Sequence, residues 1–336
     1  MEVEKIKKLN KIYLFFGCLI ISIGLMLASY YLPMFGIVAA MLCSIPIVWL
    51  IIKRSIRQGL IAALFLVGFS LIMLPLEYSF GLLAQYFLLG VFLGIAWKRQ
   101  IHTGIILFFA IVLASFTGII YNVFLDINFD SSFFQVFQET ARILQTDPQY
   151  AVSLVKAGLT NENIQLLLKQ ISDIYNKLLP SFFILSVSIV TILTYYLQKL
   201  VLRFCKVNII DIPLWKWEFP WYGIFPAILV LGEYLLADYT KLTWLMNSAL
   251  NGILILLPFY IAAGLSYYGY LWKLRPPSNF FKILLVFSCV FLLPTVVIIL
   301  AFMGIADMTF DLKKRLKKAF EKLNNSGGKK NESNTK

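Results

Sequence analysis

Long apolar runs alternate with short, charged connections along most of this chain. Each run is about twenty residues long, which is the length that an α-helix needs to cross ~30 Å of hydrocarbon. The charged residues that bracket these runs predict nine helices, at roughly 13–31, 33–52, 59–75, 78–97, 103–125, 179–203, 219–238, 243–271 and 280–304. The pattern predicts an all-α, polytopic helical membrane protein with eight or nine transmembrane helices.

The composition supports this prediction. Hydrophobic residues make up 60% of the chain and charged residues 14%, and the mean hydropathy is +0.81. A soluble domain is about half apolar and about one quarter charged. We therefore expect the lipid bilayer to surround most of the chain.

Basic residues mark alternate connections between the predicted helices. Lysines precede the first helix, and Lys or Arg residues follow the second, fourth, sixth and eighth helices, whereas the other short connections carry almost none. Short cytoplasmic loops are enriched in Lys and Arg, so we expect the N-terminus and these connections to face the cytoplasm. No small-residue cleavage site follows the first run, which we interpret as a retained helix and not as a signal peptide.

The basic C-terminal tail conflicts with nine crossings. Nine crossings from a cytoplasmic N-terminus would place residues 311–336 outside, yet this segment carries nine Lys or Arg residues. Such a segment favours an anionic cytoplasmic surface. Either one apolar run does not cross fully or the tail is exported. Pro294 lies in the middle of the ninth run and favours a bent or re-entrant segment. The seventh run is a second candidate, because Pro220, Pro226 and Glu233 weaken it. We expect eight full crossings and a cytoplasmic tail.

The segment DIPLWKWEFPWYG, Asp211–Gly223, places three Trp residues and a Tyr between the sixth and seventh predicted helices. Trp and Tyr prefer the headgroup layer, because the ring is apolar while its N–H or O–H stays hydrated. We therefore interpret Trp215, Trp217 and Trp221 as interfacial anchors on the cytoplasmic surface, before a helix re-enters the bilayer at Pro220.

A long segment, residues 126–179, separates the fifth and sixth predicted helices on the external side. Segments of this length are usually functional or disordered. Apolar residues recur at helical spacing in 133–144 and 160–179, and Thr160 is suited to cap the second of these helices. The segment is either a passive extension of the sixth helix or a cap over an outward-facing cavity.

Polar residues within the predicted helices concentrate towards the outer leaflet. A charge at a helix centre costs about 2.5–3.5 kcal/mol, so such residues usually face protein or water. Asn247 and Asn251 are four residues apart and share one face of the eighth helix. These polar residues either brace the bundle or line a pocket beneath the external segment. The candidate ligand-binding residues are Glu77, Gln85, Asn122, Glu233, Asn247 and Asn251.

The sequence lacks the parts of several kinds of active site. His102 is the single histidine, the four cysteines form no close pair, and no GxxxxGK[ST] loop is present. These features argue against a metal centre, a two-histidine relay and nucleotide hydrolysis by that loop. The net charge of +13 lies mainly in cytoplasmic loops and the tail, which explains it better than nucleic-acid binding does. We expect no enzyme activity, no catalytic or metal-binding residues, no cofactor and no nucleic-acid partner.

Small residues recur every four positions in several predicted helices. Examples are Gly24 with Ala28 in the first helix and Gly90 with Gly94 in the fourth. Such faces allow helix backbones to approach closely. They serve either packing within the bundle or contact with the helices of a membrane partner.

Three stretches resemble the YybS-type family of bacterial membrane proteins. They are IPIVWLIIKRSIRQG, IPLWKWEFPWYG followed by MNSALNG, and MGIADMTFDLKKRL after the last apolar run. The residues that match the family's aromatic stretch and its C-terminal motif are Pro213, Trp217, Pro220, Trp221, Gly304 and Asp307. The resemblance implies a multi-pass protein of the bacterial cytoplasmic membrane.

The first six helices of that family are similar to the substrate-binding (S) subunits of energy-coupling-factor vitamin transporters. This resemblance implies an S-component-like six-helix part with an outward-facing pocket. It also implies docking, through small-residue faces, on a membrane partner that ATPases drive. The chain departs from those subunits in having two or three further helices and a much larger external segment.

These features divide the chain into four parts. We expect a six-helix membrane module at 1–204 that includes the cap at 126–179, an aromatic stretch at 205–218, membrane helices at 219–306 and a basic tail at 307–336. The composition of the last dozen residues predicts that the end of this tail is disordered. Two functions follow from this organisation. The first is a small-molecule binding or transport subunit, and the second is a non-transporting scaffold for envelope or signalling proteins.

Overall fold

The secondary structure is helical, and none of the residues described below lies in a β-strand. The computed structural model describes residues 2–32, 34–124, 161–207, 209 and 212–319. Within these ranges, nine helical stretches are long and apolar enough to cross a membrane. The predicted all-α polytopic membrane fold is therefore confirmed. The chain divides into an N-terminal unit, Met1–Asp211, and a C-terminal unit, Ile212–Lys336.

The described part of the N-terminal unit consists of α-helices with one π-helical segment. The helices are α1 Glu2–Tyr31, α2 Gly36–Cys43, α3 Ile45–Lys53, α4 Ile56–Met73, α5 Leu76–Leu82, α6 Leu88–Lys98, α7 Thr103–Phe124 and α8 Asn161–Phe204. The π-helical segment, Leu83–Phe87, joins α5 to α6. Together, α5, the π-helical segment and α6 form one candidate membrane span.

The second predicted helix is two helices, α2 and α3, which meet at Ser44. Pro46 lies in the first turn of α3, where its missing N–H needs no partner but its ring prevents an unbroken helix. The rest of the unit surrounds α3, and Ile47 and Ile51 are fully buried. The apolar sequence of α3 therefore forms the centre of the N-terminal unit.

The small-residue face of α6 packs against α3 and its boundary with α2. A Cβ atom at Gly90 would lie 2.6 Å from the Cβ atom of Ser44, and one at Gly94 would lie 2.9 Å from Ile51. These glycines serve packing inside the unit. By contrast, a Cβ atom at Gly24 on α1 would have no described neighbour within 4 Å.

The sixth predicted helix begins earlier than its apolar run. α8 is continuous over 44 residues with Pro180 inside it, and at 1.5 Å per residue it is about 66 Å long, roughly twice the hydrocarbon thickness. Residues 161–179 of the external segment therefore continue the membrane helix. The remainder of that segment, including Thr160, the expected N-cap residue, lies outside the described residues.

The C-terminal unit begins with the aromatic segment and continues into four helices and a further helical segment at 312–319. Two 3₁₀ turns, Leu214–Lys216 and Trp221–Ile224, precede them. The helices are α9 Phe225–Thr240, α10 Thr243–Leu274, α11 Asn279–Phe291 and α12 Leu293–Phe310.

Helices α9 and α10 are antiparallel. A Cβ atom at Gly252 would contact Val230 at 2.9 Å, whereas the Tyr260 hydroxyl donates a hydrogen bond of 2.9 Å to the carbonyl of Gly223, before α9. Helix α12 packs on the same α10. The backbones of these two helices touch, because Cβ atoms at Gly264 and Gly304 would overlap the carbonyls of Leu300 and Tyr260, respectively.

The ninth apolar run is interrupted, as the position of Pro294 predicts. α11 ends at Phe291 and α12 begins at Leu293, with Pro294 in its first turn. Only α12 is long enough to count as a membrane span. The 13 residues of α11 would cover about 20 Å, which is less than the hydrocarbon thickness.

Candidate functional site

A polar cavity of about 390 Å³ lies at one end of the N-terminal unit. It forms where α1 ends, α2 and α5 begin and α7 ends. Its hydrogen-bonding side chains are Ser29, Tyr78, Gln85, Tyr86 and Tyr121, and its remaining lining residues are Gly36, Ile37, Ala40, Gly81 and Leu82. The cavity thus brings one amide, one aliphatic hydroxyl and three phenols together in an otherwise apolar bundle.

The π-helical segment supplies two of these side chains. Gln85 and Tyr86 lie within Leu83–Phe87. A π-turn changes the direction in which following side chains leave the helix, and such turns occur frequently at functional sites. Sequence reasoning selected Gln85 for its polarity but missed Tyr86, because the apolar pattern of the run carries no sign of a π-turn.

Hydrogen bonds hold one wall of the cavity in place. The Tyr78 hydroxyl donates to Ser29 Oγ at 2.8 Å, and Ser29 Oγ donates to the Met26 carbonyl at 2.6 Å. The Tyr78 ring packs edge-on against Tyr30 with centroids 5.1 Å apart. This wall is ordered by the protein itself, so a bound molecule would not have to organise it.

Two glycines also shape the walls of the cavity. A Cβ atom at Gly81 would lie 3.6 Å from the Tyr121 ring, so a longer side chain at this position would project towards the cavity. At Gly36, a Cβ atom would lie 2.7 Å from the Ser29 carbonyl. The cavity volume therefore depends on small residues at these two positions.

The other two candidate residues of this unit lie beside the cavity and not in its wall. Glu77 is exposed in the first turn of α5, and its charge interacts with Tyr121. Asn122 donates a hydrogen bond of 2.7 Å to the Gly118 carbonyl in its own helix. In the N-terminal unit, only Gln85 among the predicted residues lines the cavity.

The three candidates of the C-terminal unit are all half-buried. Glu233 shares a face of α9 with Val230 and Ala237, which pack towards α10. Asn251 donates a hydrogen bond of 2.7 Å to the carbonyl of Asn247, one turn earlier. The expected pocket over all six residues stays a prediction, because these three belong to the second unit.

A second cavity of the N-terminal unit is larger and almost entirely apolar. It measures about 740 Å³ and lies between α1, the α2–α3 boundary and the end of α8, with Ile21, Ile45, Trp49 and Val201 among its lining residues. Ligand sites combine apolar walls with a few convergent polar groups. We place the candidate site in the smaller cavity for this reason.

The aromatic segment packs against the C-terminal unit. Trp217 is half-buried and its Nε1 donates to the Ile212 carbonyl at 2.9 Å. Trp215 is also half-buried, beside Gly269 of α10, whereas Trp221 is 64% exposed. The exposed position of Trp221 suits an interfacial anchor, while Trp217 also takes part in the packing of the unit.

A polar junction that sequence reasoning missed lies around the Trp217 carbonyl. Lys313 Nζ donates to this carbonyl and to Ser266 Oγ, both at 2.6 Å. The backbone N–H of Lys313 donates to Asp307 Oδ1 at 2.8 Å. Burial lowers the pKa of Lys313, and the charges of Asp307 and Glu218 oppose this shift.

A buried amide in the N-terminal unit, Gln198, was also not among the residues predicted from the sequence. Gln198 is fully buried and donates to the Met41 carbonyl at 3.2 Å and to Ser44 Oγ at 2.8 Å. These bonds stabilise the boundary between α2 and α3, where the helix is interrupted. The signal was available, because Thr194 and Gln198 are four residues apart and both lie on the buried face of α8.

No group of three or more His, Cys, Asp or Glu side chains suited to a metal ion occurs within the described part of the chain. A family model described as "Predicted membrane protein (DUF2232)" matches residues 20–308. No curated protein matched, and no solved structure matched.

Proposed function

We propose a function for this chain, which belongs to the DUF2232 family of predicted membrane proteins. The chain is a small-molecule binding or transport subunit, and its site is the cavity beside Gln85. The observation that carries this proposal is the convergence of five hydrogen-bonding side chains on one cavity next to a π-turn. Its volume of about 390 Å³ falls within the usual range for small-molecule sites.

The chemistry of the cavity favours a small molecule that is neutral or weakly cationic. Phenol and hydroxyl groups donate and accept hydrogen bonds, and the Gln85 amide does both. Tyr rings add faces on which an aromatic ring or a cation can pack. The Glu77 carboxylate near Tyr121 disfavours an anion at the same place.

The distribution of basic residues supports an outward-facing site. Lys53, Arg54, Lys98 and Arg99 lie where α3 and α6 end, which is the end of the unit opposite the cavity. Lys98 Nζ donates to the carbonyls of Ile51 and Arg54, at 2.8 and 3.2 Å. If basic connections face the cytoplasm, the cavity opens towards the outside of the bacterial cytoplasmic membrane.

The extension of α8 projects at the same end as the cavity. A Cβ atom at Gly118, near the end of α7, would lie 2.8 Å from Phe183 of α8, so residues 161–180 lie beyond this contact along the helix. This placement supports the interpretation of the external segment as part of a cap. A passive extension would give the same helix, and ligand measurements separate the two.

Transport would require energy from another protein. The chain has no GxxxxGK[ST] loop, and the resemblance of its first six helices to substrate-binding subunits implies an ATPase-driven membrane partner. The open position of Gly24 on α1 offers a small-residue face to such a partner.

The alternative function is a non-transporting scaffold for envelope or signalling proteins. The exposed Trp221 and the basic residues that follow α12 favour this alternative, since they offer a protein-binding surface independent of any cavity. Purification with associated proteins distinguishes the two functions. An ATPase pair would support the transport subunit, whereas envelope-assembly or signalling proteins without one would support the scaffold.

The direct test is to identify small molecules that purify with the protein. We expect mass spectrometry of denatured samples to release a compound from the wild type that Gln85→Leu lacks. Gln58→Leu is the matched control, because Gln58 is also half-buried but lies at the opposite end of the unit. Equal amounts in both variants, or none in the folded wild type, would refute the binding proposal.

A further inference from the structure

Two lysines converge on one indole ring in the C-terminal unit. Lys273 Nζ lies 3.7 Å from the ring centroid of Trp215, and Lys216 Nζ lies 5.1 Å from the same centroid. Both lysines are exposed, whereas Trp215 is half-buried. Both ammonium groups therefore lie beside the same indole ring.

The position of Trp215 is fixed by its packing on α10. A Cβ atom at Gly269 would lie 3.1 Å from the Trp215 Cβ atom, so the absence of a side chain there lets the 3₁₀ turn lie against the helix. Ser266, one turn earlier, is within hydrogen-bond distance of the Leu214 carbonyl at 2.8 Å. The indole is therefore held against the helix that carries Lys273.

The charges of the two lysines are not balanced within the described residues. Neither Lys216 nor Lys273 forms an ion pair with a described residue of the kind that joins Lys241 to Asp238 and Lys314 to Asp311. A lysine above an aromatic ring gains a favourable electrostatic interaction, but the ring carries no net charge. Two like charges so placed repel each other, and a shared anion would reverse this repulsion.

The depth of the site indicates which anion it would meet. Lys273 lies in the last turn of α10, a candidate membrane span that ends at Leu274. Tryptophan favours the headgroup layer of a bilayer, and lysine binds phosphate as a compact point charge. Basic pockets at the ends of membrane helices bind the headgroups of anionic lipids.

We propose that Trp215, Lys216 and Lys273 form a binding site for the phosphate of an anionic glycerophospholipid. The two ammonium groups contact the phosphate, and the indole packs against the glycerol region of the same lipid. The site lies in the C-terminal unit and is independent of the cavity beside Gln85. Its failure would leave the proposed small-molecule function unchanged.

The test compares lipids of equal size and different charge. Full-length protein in a non-ionic detergent is titrated with phosphatidylglycerol or phosphatidylcholine, and the midpoint of thermal unfolding is measured. We expect phosphatidylglycerol to raise the midpoint by several degrees more than phosphatidylcholine does. In the double variant Lys216→Ala/Lys273→Ala, we expect this difference to disappear.

The matched control is Lys241→Ala, which removes an exposed lysine that follows α9. It should keep the full difference between the two lipids. For the wild type alone, sodium chloride at high concentration should reduce the phosphatidylglycerol effect, because ions screen exposed charges; this measurement applies even if the double variant does not fold. Inorganic phosphate should not reproduce the effect, since it lacks the glycerol region that packs against the indole.

Four results would overturn the proposal. The first three are an undiminished lipid difference in the folded double variant, a wild-type response that salt does not weaken, and an equal response to phosphatidylcholine. The fourth is an equal response to inorganic phosphate, which would show a general anion site and not a lipid site.

Discussion

The Nζ atom of Lys313 lies 2.6 Å from the carbonyl oxygen of Trp217, although 96 positions separate these residues in the chain. This hydrogen bond joins the first turn after α12 to the aromatic segment before α9. Ser266 of α10 accepts a second hydrogen bond from the same ammonium group. The start of the basic tail and the aromatic segment therefore lie together, which supports the expectation that both face the same side of the membrane.

Removal of the Lys313 ammonium should destabilise the C-terminal unit. In Lys313→Met, the Trp217 carbonyl and Ser266 Oγ lose their charged donor but keep the 2.9 Å hydrogen bond between them. The expected cost is therefore that of a hydrogen bond to a charged group, about 1.5–3 kcal/mol. We expect a lower midpoint of thermal unfolding in detergent. The same change at Lys314, which is exposed and pairs with Asp311 on the surface, should have little effect.

An equal response at these neighbouring lysines would contradict this prediction. It would mean that the tail is held by its overall charge and not by the specific bonds of Lys313. Ser266→Ala provides a second measurement that leaves every charge in place. It removes one acceptor of the Lys313 ammonium and the hydroxyl that faces the Leu214 and Trp217 carbonyls. We expect its effect to have the same sign as that of Lys313→Met and to be smaller.

The contact between α10 and α12 should tolerate no side chain larger than hydrogen at its closest point. A Cβ atom at Gly264 or Gly304 would overlap a backbone carbonyl of the other helix, and backbone cannot move aside as a flexible side chain can. We expect Gly264→Ala and Gly304→Ala each to lower stability by at least about 1–3 kcal/mol, as overpacked cores do.

Gly232 on α9 is the matched control, because a Cβ atom there has no described neighbour within 4 Å. Gly232→Ala should be neutral or slightly stabilising, since alanine favours the helix over glycine. Unfolding midpoints of the three variants in one detergent check this prediction. A similar loss at Gly232 would show that the effect comes from the helices themselves and not from their contact.

The helices were predictable because the bilayer requires long apolar runs, and interruptions were predictable where proline signals them. Pro294 indicated the break at Leu292, but Pro46 was overlooked and the break at Ser44 was missed. Hydropathy did not show the start of α8, because its first turns extend beyond the apolar run and contain Asn161 and Lys169. The helical spacing of apolar residues in 160–179 did predict a helix there, and α8 begins at Asn161. Apolar runs reveal the membrane-spanning part of a helix and not its ends.

The candidate site was predictable only in part. Polarity alone selected Gln85, which lines the cavity, but also Asn122, which bonds to its own helix. Tyr86 and Tyr121 were not selected, because tyrosine is common in membrane helices and only the π-turn and the approach of α7 bring them together. The Trp217–Lys313 contact depends on how distant parts of the chain pack, which periodicity does not encode.

The orientation of the N-terminal unit can be checked by labelling single cysteines in intact cells. The positive-inside rule predicts that a membrane-impermeant maleimide labels Glu77→Cys and does not label Arg57→Cys. Both positions are exposed and lie at opposite ends of α4 and its neighbours. The background should carry Cys205→Ser, because Cys205 is exposed.

Permeabilised cells provide the control for this experiment, since both cysteines should then react. Labelling of Arg57→Cys alone in intact cells would show that the unit has the opposite orientation and that the cavity lies on the cytoplasmic side. The proposed site would then face inward, and an outward-facing binding subunit would be excluded.

The cavity itself can be filled without removing any of its hydrogen-bonding groups. Gly81 lies beside Tyr121, and a Cβ atom added to Gly81 would be 3.6 Å from the ring, so the side chain of Gly81→Leu would project into the space where a ligand would bind. We expect this variant to fold and insert normally but to lose any compound that purifies with the wild type.

Gly68→Leu on α4 adds the same side chain where a Cβ atom has no described neighbour within 4 Å, and it should keep the compound. Retention of the compound by folded Gly81→Leu would place the ligand elsewhere, and the larger apolar cavity between α1 and α8 would then become the first alternative to test.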